Sequence, residues 1–251
     1  MPATLTPTAD PVVIVSAART PLGAFQGSLA SLSAPQLGAQ AIAAALARSG
    51  LPPEAIDEVL MGCVLPAGLG QAPARQAALG GGLPLATGCT TISKVCGSGM
   101  KATMLGHDLL LAGSAQAVVV GGMESMSNAP YLLPKARGGQ RLGHGQMIDH
   151  MFKDGLEDHY SAATNGRLMG TFAEECARHY GFSREAQDEY ACTSTLRAQA
   201  AQREGHFEWE VAPVTVCSRQ ASTVVAHDEQ PLKANLDKLH PCLPPLPKMA
   251  P

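Results

Sequence analysis

A β-prone run, Thr90 to Ser93, passes through a cysteine and two glycines directly into a helix-compatible stretch, Met100 to Ala112. The next apolar run, Ala117 to Val120, comes only after that stretch and ends at Gly121-Gly122. The same alternation precedes it. Val12 to Ser16 is a β-branched run suited to a strand buried on both faces. Ser33 to Ser49 has a capping serine, Pro35 near its first turn and Gly50 past its end, so it reads as a helix with Leu37, Ile42, Leu46 and alanines as its apolar stripe. Glu58 to Val64 is a further strand and Pro73 to Leu79 a short helix. Strands alternating with helices predict α/β layers around a mainly parallel sheet.

After Met126 the texture changes. Asn128 to Gly145 carries glycines, prolines, Lys135, Arg137 and Arg141, a long irregular excursion of the kind that is functional or disordered. Phe172 to Tyr180 and Arg184 to Arg203 read as helices, and Trp209 to Val216 as a strand. With 251 residues, 45% of them hydrophobic and 16% charged, the chain can build one or two globular domains with a real core. A formal charge of −3 gives no basic footprint for nucleic acid, and no apolar run reaches the length of a membrane span. Residues 1–11 lack the features of a signal or transit peptide and read as a flexible head on a cytoplasmic protein.

The seven cysteines form no CxxC pair and are expected to be reduced thiols. Cys176 and His179 have a ligand-like spacing without a second pair to complete a tetrahedral site, so no metal is expected; a packed Cys176 and a surface His179 are preferred. His144, His150 and His159 read as loop or surface residues. Cys96 is different. In Val95-Cys96-Gly97-Ser98-Gly99-Met100 the thiol stands at a sharp strand-to-helix turn, where the first backbone N–H groups and the positive end of the helix dipole face the sulfur. Gly97 and Gly99 remove side chains that would block a substrate. The local string leaves two readings open, a nucleophile for covalent acyl transfer or a small buried hydrophobe.

Several strings in order decide between them. These are Val13-Ile14-Val15-Ser16-Ala17-Ala18-Arg19-Thr20-Pro21 with Gly23, then Gly70-Gln71-Ala72-Pro73-Ala74-Arg75-Gln76, then Val95 to Ala102. Gly121-Gly122-Met123-Glu124-Ser125-Met126-Ser127, Asp154-Gly155-Leu156-Glu157-Asp158 and Met169-Gly170 with Ala173-Glu174 follow. From near Val12 to near Leu239 the chain resembles the thiolases, the acyl-CoA C-acyltransferases of fatty acid metabolism. The resemblance implies a thiolase-like N-terminal half, a mixed and mainly parallel sheet flanked by helices, over residues 12–126. It implies an inserted loop domain over 127–239 that covers CoA and helps form tetramers, and it implies Cys96 as the acyl-thioester nucleophile. The expected activity is Claisen condensation of acetyl-CoA to acetoacetyl-CoA, or thiolysis of 3-ketoacyl-CoA, with CoA thioesters as substrates and no prosthetic group. A homo-oligomer is the expected assembly. Ketoacyl synthases share the cysteine elbow, but Gly122 to Met126 and the long insertion favour the thiolases.

The CoA contacts implied by the resemblance are Tyr160, Leu168, Met169, Ser218 and Arg219. Tyr160 follows the Asp-Gly-Leu string, near the pantetheine in the family. Leu168-Met169 stands where short-chain members have His-Met, so only Met169 matches. Arg219 would stack on adenine or pair with phosphate, or stand solvated as most exposed arginines do. The family's Gly-His-Pro histidine, its Cys-x-Gly-Gly acid-base cysteine and its Asn-Glu-Ala-Phe-like string are not among these residues. His240-Pro241 is preceded by Leu239 and is not expected to replace the histidine.

From His240 to Pro251 the family pattern is left. With the codons displaced by one frame, Met249-Ala250 can yield only glycine and Lys248-Met249 only Asn or Asp. The shifted tail can then read Ser-Leu-Pro-Pro-Ala-Phe-Ala-Lys-Asp-Gly-Thr, which resembles the family's passage into its second half. The expectation is a frameshift near residue 240, an absent C-terminal half, and an exposed apolar face that makes the chain self-associate. The alternative function is a catalytically incomplete thiolase fragment limited to CoA binding or subunit association.

Overall fold

The computed structural model describes residues 11–217 and 221–236. They form two compact units, the first made of residues up to 19 with 34–63 and 71–124, the second of 20–33, 64–70 and residues from 125 onward.

In the first unit the chain runs α1 (Ala34–Ser49), β1 (Glu58–Gly62), α2 (Pro73–Gly80), β2 (Gly88–Ile92), α3 (Ser98–Leu111) and β3 (Val118–Gly122). The strands form one sheet in the order β2-β1-β3, all parallel, with Glu58 opposite both Gly88 and Val118. Parallel neighbours need crossovers, and α2 and α3 supply them. Strand side chains alternate between faces, so the helix contacts assign each face. The Ala74 N–H of α2 donates to Thr91 Oγ1 at 2.9 Å, on the face shared by Met61 and Gly121. Gly106 of α3 lies against Val118 and Val120, on the opposite face with Leu60 and Gly62. Helices therefore cover both faces, which is why Val59, Leu60 and Met61 of the central strand are all buried. The helix layer itself is tight: Ala77 and Ala78 are fully buried, and Gly38 of α1 sits against Ala77 and Met123.

Val12 to Ser16 is not a strand, against expectation. The segment pairs with neither of the sheet's outer strands, β2 and β3. It is instead tied along α1: Ser16 Oγ donates to the Ala45 carbonyl at 2.8 Å and Arg48 Nη1 to the Ala17 carbonyl at 3.0 Å. Ile14 is left 84% exposed. No helix among the described residues is long and apolar enough to cross a membrane.

In the second unit a 3-10 turn at Met126–Asn128 leads to β4 (Tyr131–Leu132), which pairs antiparallel with β5 (Ile148–Asp149) and closes the expected irregular excursion into a long loop. A π-helical turn at Met151–Leu156 follows, then β6 (Glu157–Asp158) paired with β7 (Arg167–Leu168), α4 (Met169–Tyr180) and α5 (Arg184–Arg203). Ser183 caps α5, its hydroxyl accepting the Ala186 N–H at 3.1 Å. The strand expected over Trp209 to Val216 starts only at Val214, as β8 (Val214–Cys217), paired with β9 (Ser222–Val225). Pro213, which has no N–H to give a ladder, stands immediately before it, and residues 204–210 are turns. The short α6 (Glu229–Lys233) completes the described elements. Two further expectations fail here. His150 is buried, its Nδ1 2.5 Å from Asp154 Oδ2 while Nε2 accepts the Ala67 N–H at 3.4 Å. Cys176 is exposed, because it falls on the open side of α4.

α6 clamps the segment 20–33. Asp228 Oδ1 accepts the Leu22 N–H at 2.8 Å, and Glu229 N–H donates to the Leu22 carbonyl at 3.0 Å. The buried Glu229 carboxylate takes Ala24 N–H at 2.7 Å, Ser28 N–H at 3.1 Å and Ser28 Oγ at 2.7 Å, with Lys233 Nζ also at 2.7 Å. Lys233 and then Ser28 hold its ionised form, lowering its pKa from 4.5 to about 2. Because the folded value is the lower one, this contribution to stability is complete above the unfolded value near 4.5 and is lost as the pH falls towards 2. Glu229→Gln should therefore destabilise the chain at neutral pH and flatten the acid limb of stability over that window, measured by urea unfolding at a series of pH values. Gly106→Ala tests the α3 seat: a Cβ there would stand 2.5 Å from Val120 Cγ1. The helix-propensity gain of about 1 kcal/mol should be outweighed by an overpacking cost of about 1–3 kcal/mol, lowering the urea midpoint.

Candidate functional site

Cys96 lies four residues past the end of β2 and two before the start of α3, its side chain exposed. The strand–turn–helix join expected from the sequence is present, with the helix starting at Ser98. The turn is tied by backbone bonds: Gly97 N–H donates to the Lys94 carbonyl and Ser98 N–H to the Val95 carbonyl, both at 3.1 Å. Its backbone is unusual at one residue. Val95 has φ 49°, in the left-handed region, where a β-branched side chain meets its own carbonyl. Such a conformation costs about 1–2 kcal/mol and persists only where its surroundings over-determine it.

Those surroundings are glycines. A Cβ at Gly62, the last residue of β1, would stand 2.6 Å from Ser98 Cβ and 2.9 Å from Gly99 N. Gly122, the last of β3, faces Gly99, where a Cβ on Gly122 would lie 3.4 Å from Gly99 Cα. The first turn of α3 is thus pressed onto the carboxyl ends of two strands, at the edge of a parallel sheet where α/β folds place their ligands. The other cysteines of this unit have different settings. Cys63 is buried, with Sγ 3.6 Å from Glu124 Oε1, and burial pushes the Cys89 thiol up from its ordinary range. Among the described residues no group of His, Cys, Asp and Glu could hold a metal ion.

A family comparison covers nearly all of this architecture: the thiolase N-terminal domain matches residues 12–246. The chain belongs to the thiolase family. Its match begins with the first of the motif strings and continues past Leu239. Acetyl-CoA acetyltransferase of Cupriavidus necator is 50% identical over 230 residues, which cover 91% of this chain and 58% of that protein. Acetyl-CoA acetyltransferase of Escherichia coli K12 is 51% identical over 224 residues, 89% of this chain and 56% of that one. Acetyl-CoA acetyltransferase 2 of Arabidopsis thaliana is 51% identical over 235 residues, 92% and 57% respectively. The chain therefore spans less than three fifths of the length of these relatives.

The other thiolase positions singled out in the sequence fall in the second unit. Tyr160 is 85% exposed in the turn after β6, Leu168 ends β7 half-buried, and Met169 opens α4 directly after it. Ser218 and Arg219 lie outside the described residues. Two residues beside Cys96 escaped the sequence reading. Ser98 could have been suspected, as a polar residue set between Gly97 and Gly99 at a helix start. Val95 gives no signal at all, since valine is among the residues least suited to a positive φ.

Two outcomes follow. Iodoacetamide should modify Cys96 in the native chain and leave Cys63 untouched, read by mass spectrometry of the cysteine peptides. Val95→Gly should remove the steric cost of the left-handed residue and raise stability by up to about 1 kcal/mol, read as a higher urea midpoint.

Proposed function

We propose that this chain carries the acyl-accepting cysteine of an acetyl-CoA acetyltransferase, with Cys96 as the nucleophile. The observation that supports it is the exposed Cys96 thiol at the β2–α3 join, in a chain half-identical to proteins of that name. In the first half-reaction the Cys96 sulfur attacks the thioester carbonyl of acetyl-CoA. The bond from that carbonyl carbon to the CoA sulfur breaks, CoA leaves, and the proton from Cys96 ends on the CoA sulfur. The acetyl group then resides on Cys96. In the condensation direction a second acetyl-CoA takes it up to give acetoacetyl-CoA; thiolysis of a 3-ketoacyl-CoA is the reverse.

The same reading assigns CoA contacts to Tyr160, Leu168, Met169, Ser218 and Arg219, a homo-oligomeric assembly and no prosthetic group. The reading also takes a cytoplasmic setting, a compartment that keeps thiols such as that of Cys96 reduced. Deprotonating the second acetyl-CoA calls for a base, and the family's histidine and acid-base cysteine strings are not among these 251 residues. That observation supports a second reading for these residues taken by themselves: acylation or CoA binding, or association with another subunit, without turnover.

Incubation of the chain with acetyl-CoA should place one acetyl group on the Cys96 peptide, seen by mass spectrometry, and Cys96→Ala should abolish it. The proposal fails if Cys96 in folded chain reacts with iodoacetamide yet takes no acetyl group. Multiple turnover of acetoacetyl-CoA thiolysis by these 251 residues would remove the second reading; a single acylation would support it.

A further inference from the structure

The geometry points to Ser98 as a positioning residue whose buried hydroxyl holds Val95 in its left-handed conformation and so sets the presentation of Cys96. Ser98 is 5% exposed, and its Oγ makes two hydrogen bonds across the turn. It accepts the Lys94 N–H at 2.8 Å and donates to the Val95 carbonyl at 2.6 Å. The φ angle of Val95 relates the peptide plane before that residue to the one after it. The carbonyl of the first plane, from Lys94, accepts the Gly97 N–H at 3.1 Å. The carbonyl of the second, from Val95, accepts both the N–H and the hydroxyl of Ser98. Both planes are therefore tethered, and Ser98 contributes two of the bonds directly.

Ser98 can do this because it cannot retreat. Its Cβ would stand 2.6 Å from a Cβ at Gly62, and the next residue, Gly99, is backed by Gly122. The glycines at the ends of β1 and β3 fix the helix start; the hydroxyl transmits that fixed point to the turn. Burial removes water as an alternative partner, so the hydroxyl is committed to the turn. A serine at the first residue of a helix more often serves the helix it starts. Here the hydroxyl reaches backward, to Lys94 and Val95.

The catalytic consequence rests on Cys96 being the acyl acceptor, but the lock can be tested without any acyl-CoA. Amide hydrogen exchange of the peptide containing residues 94–98 is measured in the native 251-residue chain, in Ser98→Ala, in Val95→Gly and in the double variant. Glycine occupies a positive φ without steric cost, so Val95→Gly should make the lock unnecessary. Ser98→Ala should speed exchange at the Gly97 amide by about tenfold or more while leaving the last turn of α3 unchanged. In the Val95→Gly background the same change should have less than about a third of that logarithmic effect. Additive effects in the two backgrounds, or a uniform rise along α3, would overturn the proposal and make Ser98 a packing residue. Should Ser98→Ala alone fail to fold, the double variant decides: folding restored by Val95→Gly supports the lock, and failure in both backgrounds overturns it. Acetylation of Cys96 by acetyl-CoA, slowed in Ser98→Ala and recovered in the double variant, is read separately. An unmodified Cys96 in the parent chain would count against the acyl-transfer reading and leave the exchange cycle to judge Ser98.

Discussion

The first unit depends on how closely α3 is allowed to approach the sheet. Gly62 and Gly122 end β1 and β3 with no side chain, and Gly106 repeats the omission two turns further along the helix. Were any of the three larger, the helix would have to lift away, and its lift would move the turn that carries Cys96. The missing side chains therefore work at two levels. They let the helix bury its small-residue face, and they convert the rigidity of a parallel sheet into the position of a thiol. A sheet covered on both faces is rigid because its central strand has no solvent side to relax into.

The strained residue belongs to the same construction. A left-handed valine would relax in an isolated loop, yet here both flanking carbonyls are held and the helix behind cannot shift. Local strain of this kind is maintained by distant packing, and it is found where a side chain must be aimed rather than merely accommodated. The second unit uses a comparable device for a different purpose. Two adjacent carboxylates, Asp228 and Glu229, bind the backbone of a segment some two hundred residues earlier in the chain, and Gly27 supplies the clearance that the Glu229 carboxylate needs. Charge-assisted bonds to backbone N–H groups fix an irregular segment that has no ladder of its own.

Much of this was legible before any coordinates. The α1 boundary, the β1 and β2 strands, the α2 helix and the join at Cys96 follow from apolar runs, glycine stops and proline starts, which are local signals. α5 was bounded at the same residues in sequence and structure. The failures share a cause. Val12 to Ser16 has the composition of a strand, yet it pairs with neither outer strand of the sheet and is bound to α1 instead, a choice that composition does not carry. Trp209 to Pro213 has β-prone residues, but the proline has no N–H to give beside the Val214–Val225 pair, where the ladder with β9 stops. His150 reads as a loop residue; Asp154 is only four residues on, but the Ala67 N–H that Nε2 accepts comes from a segment 83 residues earlier, which no local window contains.

By itself the sequence determined the class of the fold, the family and the cysteine on which a chemical reading rests. Each depends on residue order within a short window, or on several windows standing in order. Tertiary structure decided what those windows could not contain: the left-handed Val95, the hydroxyl of Ser98 turned back onto it, and the three glycines that seat α3. A backbone conformation disfavoured by its own residue leaves no trace in composition. It exists because groups far apart in the chain leave it no lower-energy alternative.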